Sequence, residues 1–215
     1  MKHDIQIRKI TPDESVLISK MLQEHEKVLL LYAKYLMWWN DKVNLVSRDV
    51  SHETLKSHIK HSLSVSLTSE FNSAKHIVDA GSGGGLPGLP LAIVCRAKEF
   101  VLNDIVAKKI FVANDLVNKL ALKESVTTHS GSIAKTITTK ETVIVTKHAF
   151  KVFELYDYLE GKDWRALIFL KGKEEALAEL DQVEEAFDVE IIDLETEFMG
   201  EFYKGKAVVQ VIRKG

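Results

Sequence analysis

The 215-residue chain has one cysteine, three prolines and no apolar run approaching the ~20 residues that cross a bilayer. Each shortage excludes something. A single thiol, Cys95, cannot build an internal disulfide framework or a cysteine-cluster zinc site, and is expected to be buried packing. Few prolines, with 46% hydrophobic and 28% charged residues, describe a globular chain rather than a disordered one. Without an apolar span, no membrane association is expected. The opening Met1-Lys2-His3-Asp4 begins no signal-peptide pattern, which leads us to expect a cytoplasmic protein. His52, His58 and His61 lie close together but lack further ligands, so a helix-face role is expected and no metal.

The formal charge of −2 hides an asymmetry. Residues 1–147 carry 20 Lys/Arg against 15 Asp/Glu, whereas residues 148–215 carry 9 against 16. Between positions 108 and 151 there are eight lysines and three acids. A polyanionic partner is therefore compatible with the larger, basic part of the chain.

The first 70 residues read as mostly helical. Thr11-Pro12-Asp13-Glu14 is a helix start, apolar residues recur at helical spacing from Val16 to Trp39, and Ser51 opens a further helix. From residue 75 short apolar runs alternate with amphipathic stretches. Strands are expected at 76–80, 100–103, 125–128, 142–146 and 166–170, with helices between them and a glutamate-rich helix at 173–187. Two closing strands, 189–194 and 207–212, read as an antiparallel pair at one edge. This pattern predicts a mostly parallel sheet wrapped by helices. The division expected is a helical segment, 1–72, packed on an α/β domain, 73–215.

The most informative stretch is Asp79-Ala80-Gly81-Ser82-Gly83-Gly84-Gly85-Leu86-Pro87-Gly88, between a strand and a helix. Glycines there permit positive φ and close approach of a ligand to the backbone. A dinucleotide fingerprint needs a glycine where Leu86 stands, and no Gly-Lys-Ser/Thr follows to make a phosphate loop. The G-x-G-x-G spacing with Asp79 two residues upstream is instead the pattern of S-adenosylmethionine-dependent methyltransferases. Asp104, 23 residues after Gly81, ends the next strand, where a carboxylate accepts both ribose hydroxyls. Taken singly, the loop is also compatible with a ligand-free turn and Asp104 with a helix cap; their combination favours a cofactor.

The stretch from Asp79 to Ala92, with its prolines at 87 and 90, resembles the signature of the RsmG (GidB) family, which methylates N7 of a guanine in small-subunit ribosomal RNA. Trp39-Asn40 with Asn44-Leu45, His58 with Ser62, and Asp104 with Lys108-Lys109 are similar to further family segments, in order and at the right separations over residues 25–175. The resemblance implies a Rossmann-like class I methyltransferase with a seven-stranded, mostly parallel sheet and an antiparallel edge strand. It also implies S-adenosyl-L-methionine as cofactor and small-subunit (16S) ribosomal RNA, or a ribosomal particle, as partner. A monomer is expected.

Carried onto this chain, the cofactor would be held by Asp79, Gly81, Ser82, Gly83, Gly85, Leu86, Asp104, Ile105, Ile133, Ala134 and His148. His148 is also the expected catalytic residue, and Lys108, Lys109 and Lys147 the expected RNA contacts. Asn44 is expected to cap or brace the loop beside the cofactor. The sequence departs from the family pattern at Ser57, Ser132 and His148, where arginines stand, and at Ala134, where a glutamate stands. Those departures keep two alternatives open: a degenerate paralogue that binds cofactor or RNA without turnover, and a methyltransferase of this fold with a small-molecule or protein substrate.

Overall fold

Two buried apolar runs, Thr142–Lys147 and Ala166–Gly172, form the middle of the molecule, each shielded from solvent along nearly its whole length. Strands covered on both faces read as continuous apolar runs, as these do. The structure is a computed structural model and describes residues 2–214. Its strands are β1 (Asp4–Lys9), β2 (His76–Ala80), β3 (Glu99–Asp104), β4 (Val126–Ser130), β5 (Thr142–Lys147), β6 (Ala166–Gly172), β7 (Phe187–Asp193) and β8 (Lys206–Arg213). They make one sheet in the order β1-β7-β8-β6-β5-β2-β3-β4. Every neighbouring pair is parallel except those of β8, which runs antiparallel to both β6 and β7.

The mostly parallel, helix-wrapped sheet agrees with the expectation, with two differences. β8 is inserted between β6 and β7 rather than lying outermost. An eighth strand, β1, forms the edge by pairing in parallel with β7, so the N-terminal segment is not wholly helical. β1 carries three charged residues among six, Asp4, Arg8 and Lys9, with Asp188 and Glu190 on the neighbouring strand, as is typical of a protected sheet edge.

The helices are α1 (Pro12–Glu24), α2 (Glu26–Asn40), α3 (His52–Leu63), α4 (Ser69–Ser73), α5 (Gly88–Val94), α6 (Ala107–Lys119), α7 (Val152–Tyr158) and α8 (Lys173–Leu180). Local chemistry explains several ends. Thr11 accepts from the Glu14 N–H while Glu14 accepts from the Thr11 N–H, a reciprocal cap with Pro12 in the first turn. Ser51 accepts from the Thr54 N–H to start α3. α8 stops at Leu180, seven residues short of the expected end, and Phe187 belongs to β7.

Alternation along the strands builds a core on each face of the sheet. Val143 and Val145 join Leu36, Leu55, Leu63 and Leu89 on one side. Ile144 joins Leu155, Leu159, Phe169 and Leu180 on the other. Within the second layer one glutamate of the acidic stretch is not solvated. The Glu179 carboxylate is buried, ion-paired to the buried Lys171 ammonium, and accepts the Val152 N–H at 2.8 Å. Removing Glu179 leaves the buried Lys171 ammonium with only the exposed Glu175 carboxylate, 3.5 Å away. Glu179→Ala should destabilise the protein by about 3–5 kcal/mol in urea unfolding, and a loss below ~1 kcal/mol would place the pair in a solvated setting.

Candidate functional site

The glycine loop leaves β2 at the middle of the sheet and is held from four directions. Beneath it, the Asp79 carboxyl is completely buried and accepts the Gly88 N–H at 2.7 Å. Beside it, Asp104 at the tip of β3 accepts the Gly83 N–H at 3.0 Å on one oxygen and the Val106 N–H at 2.9 Å on the other. Above it, the buried Tyr32 hydroxyl of α2 donates to the Gly84 carbonyl at 3.0 Å. On the β5 side lies the turn through Ala149 and Phe150: a Cβ built on Gly81 would come within 2.4 Å of the Ala149 Cβ. Gly81, Gly83 and Gly85 have φ of 72°, 54° and 92°, a region that L side chains seldom adopt.

Next to the loop a cavity of about 350 Å³ is lined by Gly81, Asn103, Asp104, Ile105, Ile133 and Phe150, with Ala149, Ser132 and Tyr158 completing its wall. Asp104 stands between the loop and this space. Each of its oxygens already takes one backbone N–H and keeps a lone pair, so the carboxylate can still accept two hydroxyls. Asn103 fixes the far wall by donating to the Gly131 carbonyl at 2.9 Å. Behind the loop, two buried polar atoms, Asp79 Oδ1 and Ser82 Oγ, have no hydrogen-bond partner among the described residues. Buried polar atoms without partners are costly. A carboxylate for a diol, an apolar wall for a flat ring and spare polar atoms behind a glycine cradle together fit a nucleoside-type cofactor with an amino-acid end.

Of the expected cofactor residues, Gly81, Asp104, Ile105 and Ile133 line the cavity. Asp79, Ser82, Gly83, Gly85 and Leu86 form the loop behind it, and Ala134 follows Ile133 in a 3-10 turn capped by the Ser132 hydroxyl. His148 does not line it; its neighbours Ala149 and Phe150 do. The sequence reading missed Tyr158, whose place on α7 leaves no local mark, and Phe150, which lies within the matched family segment. It also expected Asn44 to brace the loop. Asn44 is exposed and accepts from Arg48, while buried Asn40 does the bracing, accepting the Leu45 and Val46 N–H groups at 2.9 and 3.0 Å.

A second group of ionisable side chains gathers where β2, β5 and α3 meet. Burial pushes the Asp79 carboxyl up to about 8. Burial first, then the Lys206 charge, brings the Lys147 ammonium down to about 8. His58 and His148 are each pushed down to about 4 by loss of solvent and by Lys147, and fully buried His61 is pushed well below its usual value. His148 has a φ of 52° and its ring centroid lies 6.3 Å from that of His61. Lys147 is half-buried and does not line the cleft that Lys108 and Lys109 enter. His148, pushed down to about 4, is neutral near pH 7, unlike the arginine that the family pattern has there.

A wider cleft of about 710 Å³ adjoins the cavity through Val106 and Lys109. Lys108 and Lys109 from α6 meet Lys42 and Arg48 from the segment after α2 in its lining. Trp38, half exposed, has the Lys42 ammonium 3.5 Å from its ring centroid, while Trp39 donates to Asp115 at 2.7 Å and packs against the core.

A model of the GidB family, described as rRNA small subunit methyltransferase G, matches residues 25–205. A ribosomal RNA small subunit methyltransferase G of Chlorobium phaeobacteroides is 41% identical over 109 residues, 51% of this chain and 49% of that protein. The protein of the same description from Chlorobium limicola is 33% identical over 155 residues, 71% of this chain and 70% of its own length. Several other curated relatives are matched over about half their length. Among solved structures, the METTL16 MTase domain superposes with a TM-score of 0.56 at 13% identity, covering 89% of this chain and 81% of that one, a likeness of fold.

Burial of Asp79 has a measurable sign. A carboxyl whose value rises from about 3.8 to about 8 on folding loses stability for the native state as pH climbs from the first value through the second. Asp79→Asn keeps an acceptor for Gly88 without that charge. Its stability relative to the unsubstituted protein should therefore improve between pH 5 and pH 9 in urea unfolding. A difference independent of pH would show that Asp79 folds as a carboxylate.

Proposed function

The chain belongs to the GidB family, and on that premise we propose that it transfers a methyl group from S-adenosylmethionine to N7 of a guanine in small-subunit (16S) ribosomal RNA. One observation carries the cofactor half of this reading: the Asp104 carboxylate, locked by two backbone N–H groups, stands between the glycine loop and a cavity of the right chemistry. Asp104 would hold the ribose, Ile133, Phe150 and Tyr158 the adenine, and the Gly81–Gly85 backbone with Ser82 and Asp79 the methionyl part. When bound, the cofactor supplies an electrophilic methyl on sulfur.

Guanine N7 has an exposed lone pair and needs no deprotonation before attack. The chain's task is then alignment and exclusion of water, which rigid backbone contacts perform well. A neutral His148 fits this, since no general base is required. The basic cleft gives the RNA half. Lys42, Arg48, Lys108 and Lys109 surround an opening contiguous with the cavity, so phosphates bound there would bring a base toward it. A ribosomal substrate implies work in the cytoplasm. A second reading, binding without turnover, is favoured by the loss of cationic side chains at Ser132 and His148.

Four outcomes test these statements. Incubation with labelled cofactor and small-subunit RNA or particles lacking the modification should yield labelled N7-methylguanine; tight cofactor binding with no transfer favours the second reading. Asp104→Ala should weaken cofactor binding at least about tenfold by calorimetry, the loss of charge-assisted bonds to a diol. Lys108→Glu with Lys109→Glu should weaken RNA binding and lower the slope of affinity against salt by about 1.5. With His148 neutral, the rate should not fall between pH 6 and 8.5 through that residue, and His148→Asn should leave the pH profile unchanged.

A further inference from the structure

Lys147 ends β5 with a half-buried ammonium that finds no carboxylate at hydrogen-bond distance among the described residues. Its charged and titratable neighbours are Lys206 from β8, His58 and His61 from α3, His148 beside it in the chain, and Asp79 from β2. Lys206 is a like charge. The three imidazoles are neutral near pH 7. Asp79 offers the single acid in this group, and its second oxygen has no partner among the described residues. A desolvated ammonium with a like-charged neighbour is unfavourable until an anion joins it.

The fold says which end of the cofactor faces this cation. Asp104 closes β3 and Ile133 follows β4, so the nucleoside part lies over β3 and β4, on one side of the glycine loop. The remaining part must extend over β2 and β5, the next strands in the sheet. Asp79 is paired with Val145, and Lys147, two residues farther along β5, projects from the same face. The turn that follows Lys147 touches Gly81 through Ala149. We propose that Lys147 receives the α-carboxylate of the cofactor's methionyl end, replacing in this chain the arginine that the family pattern has at the position of His148. This inference rests on the cofactor reading above.

Calorimetry with two probes isolates the contact. S-adenosylhomocysteine has the amino-acid end; 5′-methylthioadenosine has the same nucleoside and sulfur without the carboxylate. Lys147→Met should weaken S-adenosylhomocysteine about tenfold or more and leave methylthioadenosine within about twofold. Lys147→Arg should restore most of the lost affinity. Equal weakening of both probes, or of neither, would overturn the assignment. So would unchanged S-adenosylhomocysteine binding with weakened RNA binding, which would give Lys147 to a phosphate. If the unsubstituted protein binds neither probe, the cofactor reading itself fails. Thermal unfolding of each variant checks the fold, and Lys147→Gln replaces the methionine variant if that one unfolds.

Discussion

A buried carboxyl under a glycine loop is the contact on which the site depends. The Gly88 N–H reaches Asp79 at 2.7 Å because nothing stands on the Gly88 Cα; a Cβ there would come within 2.7 Å of the Asp79 oxygen and 2.4 Å of the Leu102 side chain. This contact brings the start of α5 against β2 and leaves the intervening loop to close over the strand tips. The loop is then compressed from the other sides. A Cβ at Gly84 would meet Leu36 at 2.4 Å, and one at Gly81 would meet Ala149 at the same distance. The cradle is thus made of backbone, with side chains pressing on it from β2, β3, α2 and the turn after β5. Such a loop has little freedom to lose when a ligand arrives, which favours alignment of reacting groups.

The same crowding sets the electrostatics. Asp79, Lys147, His58 and His148 are all displaced toward their neutral forms, with lost solvation the largest cause in each. The Asp104 oxygens are engaged by two N–H groups beside the cavity. The site therefore divides into an open, hydrogen-bonded end suited to a sugar and a dry end where an ionic group meets few competing waters. An amino-acid terminus suits the dry end, because its carboxylate meets the Lys147 cation and its ammonium can donate to the Asp79 carboxyl.

Much of this was legible in the sequence, for identifiable reasons. The glycine spacing, Asp79 and Asp104 are legible because each does its work through backbone geometry or a strand end, and both leave a mark on a single chain. The alternation after residue 75 gave the sheet because buried parallel strands are short apolar runs. β1 escaped because an edge strand pairs through its backbone and bears charge on its side chains; Ile5 and Ile7 were its faint period-two signal. Asn40 was passed over for Asn44 because the choice depends on which amide faces the loop N–H groups, a matter of helix phase. Glu179 has no mark that sets it apart from the other glutamates of its helix, because its partners, Lys171 and Val152, come from other elements. Lys147 shares with Lys108 and Lys109 a position next to a strand end; only the sheet register puts it on the same side as Asp79.

The net charge also gains a physical reading from the topology. The acids after residue 180 concentrate on and around β7, whereas the cleft lysines Lys108 and Lys109 open α6, just after β3. β7 and β3 are separated by β8, β6, β5 and β2. Five strand spacings amount to about 24 Å, roughly three Debye lengths at physiological salt. At that distance the acidic side of the sheet barely weakens the potential at the cleft. Lys42 and Arg48, far from Lys108 in sequence, add to that potential because the segment after α2 folds against the start of α6. A phosphate approaching the cleft therefore meets four cations against one acid, Asp41, and the chain's total of −2 has little bearing on that encounter.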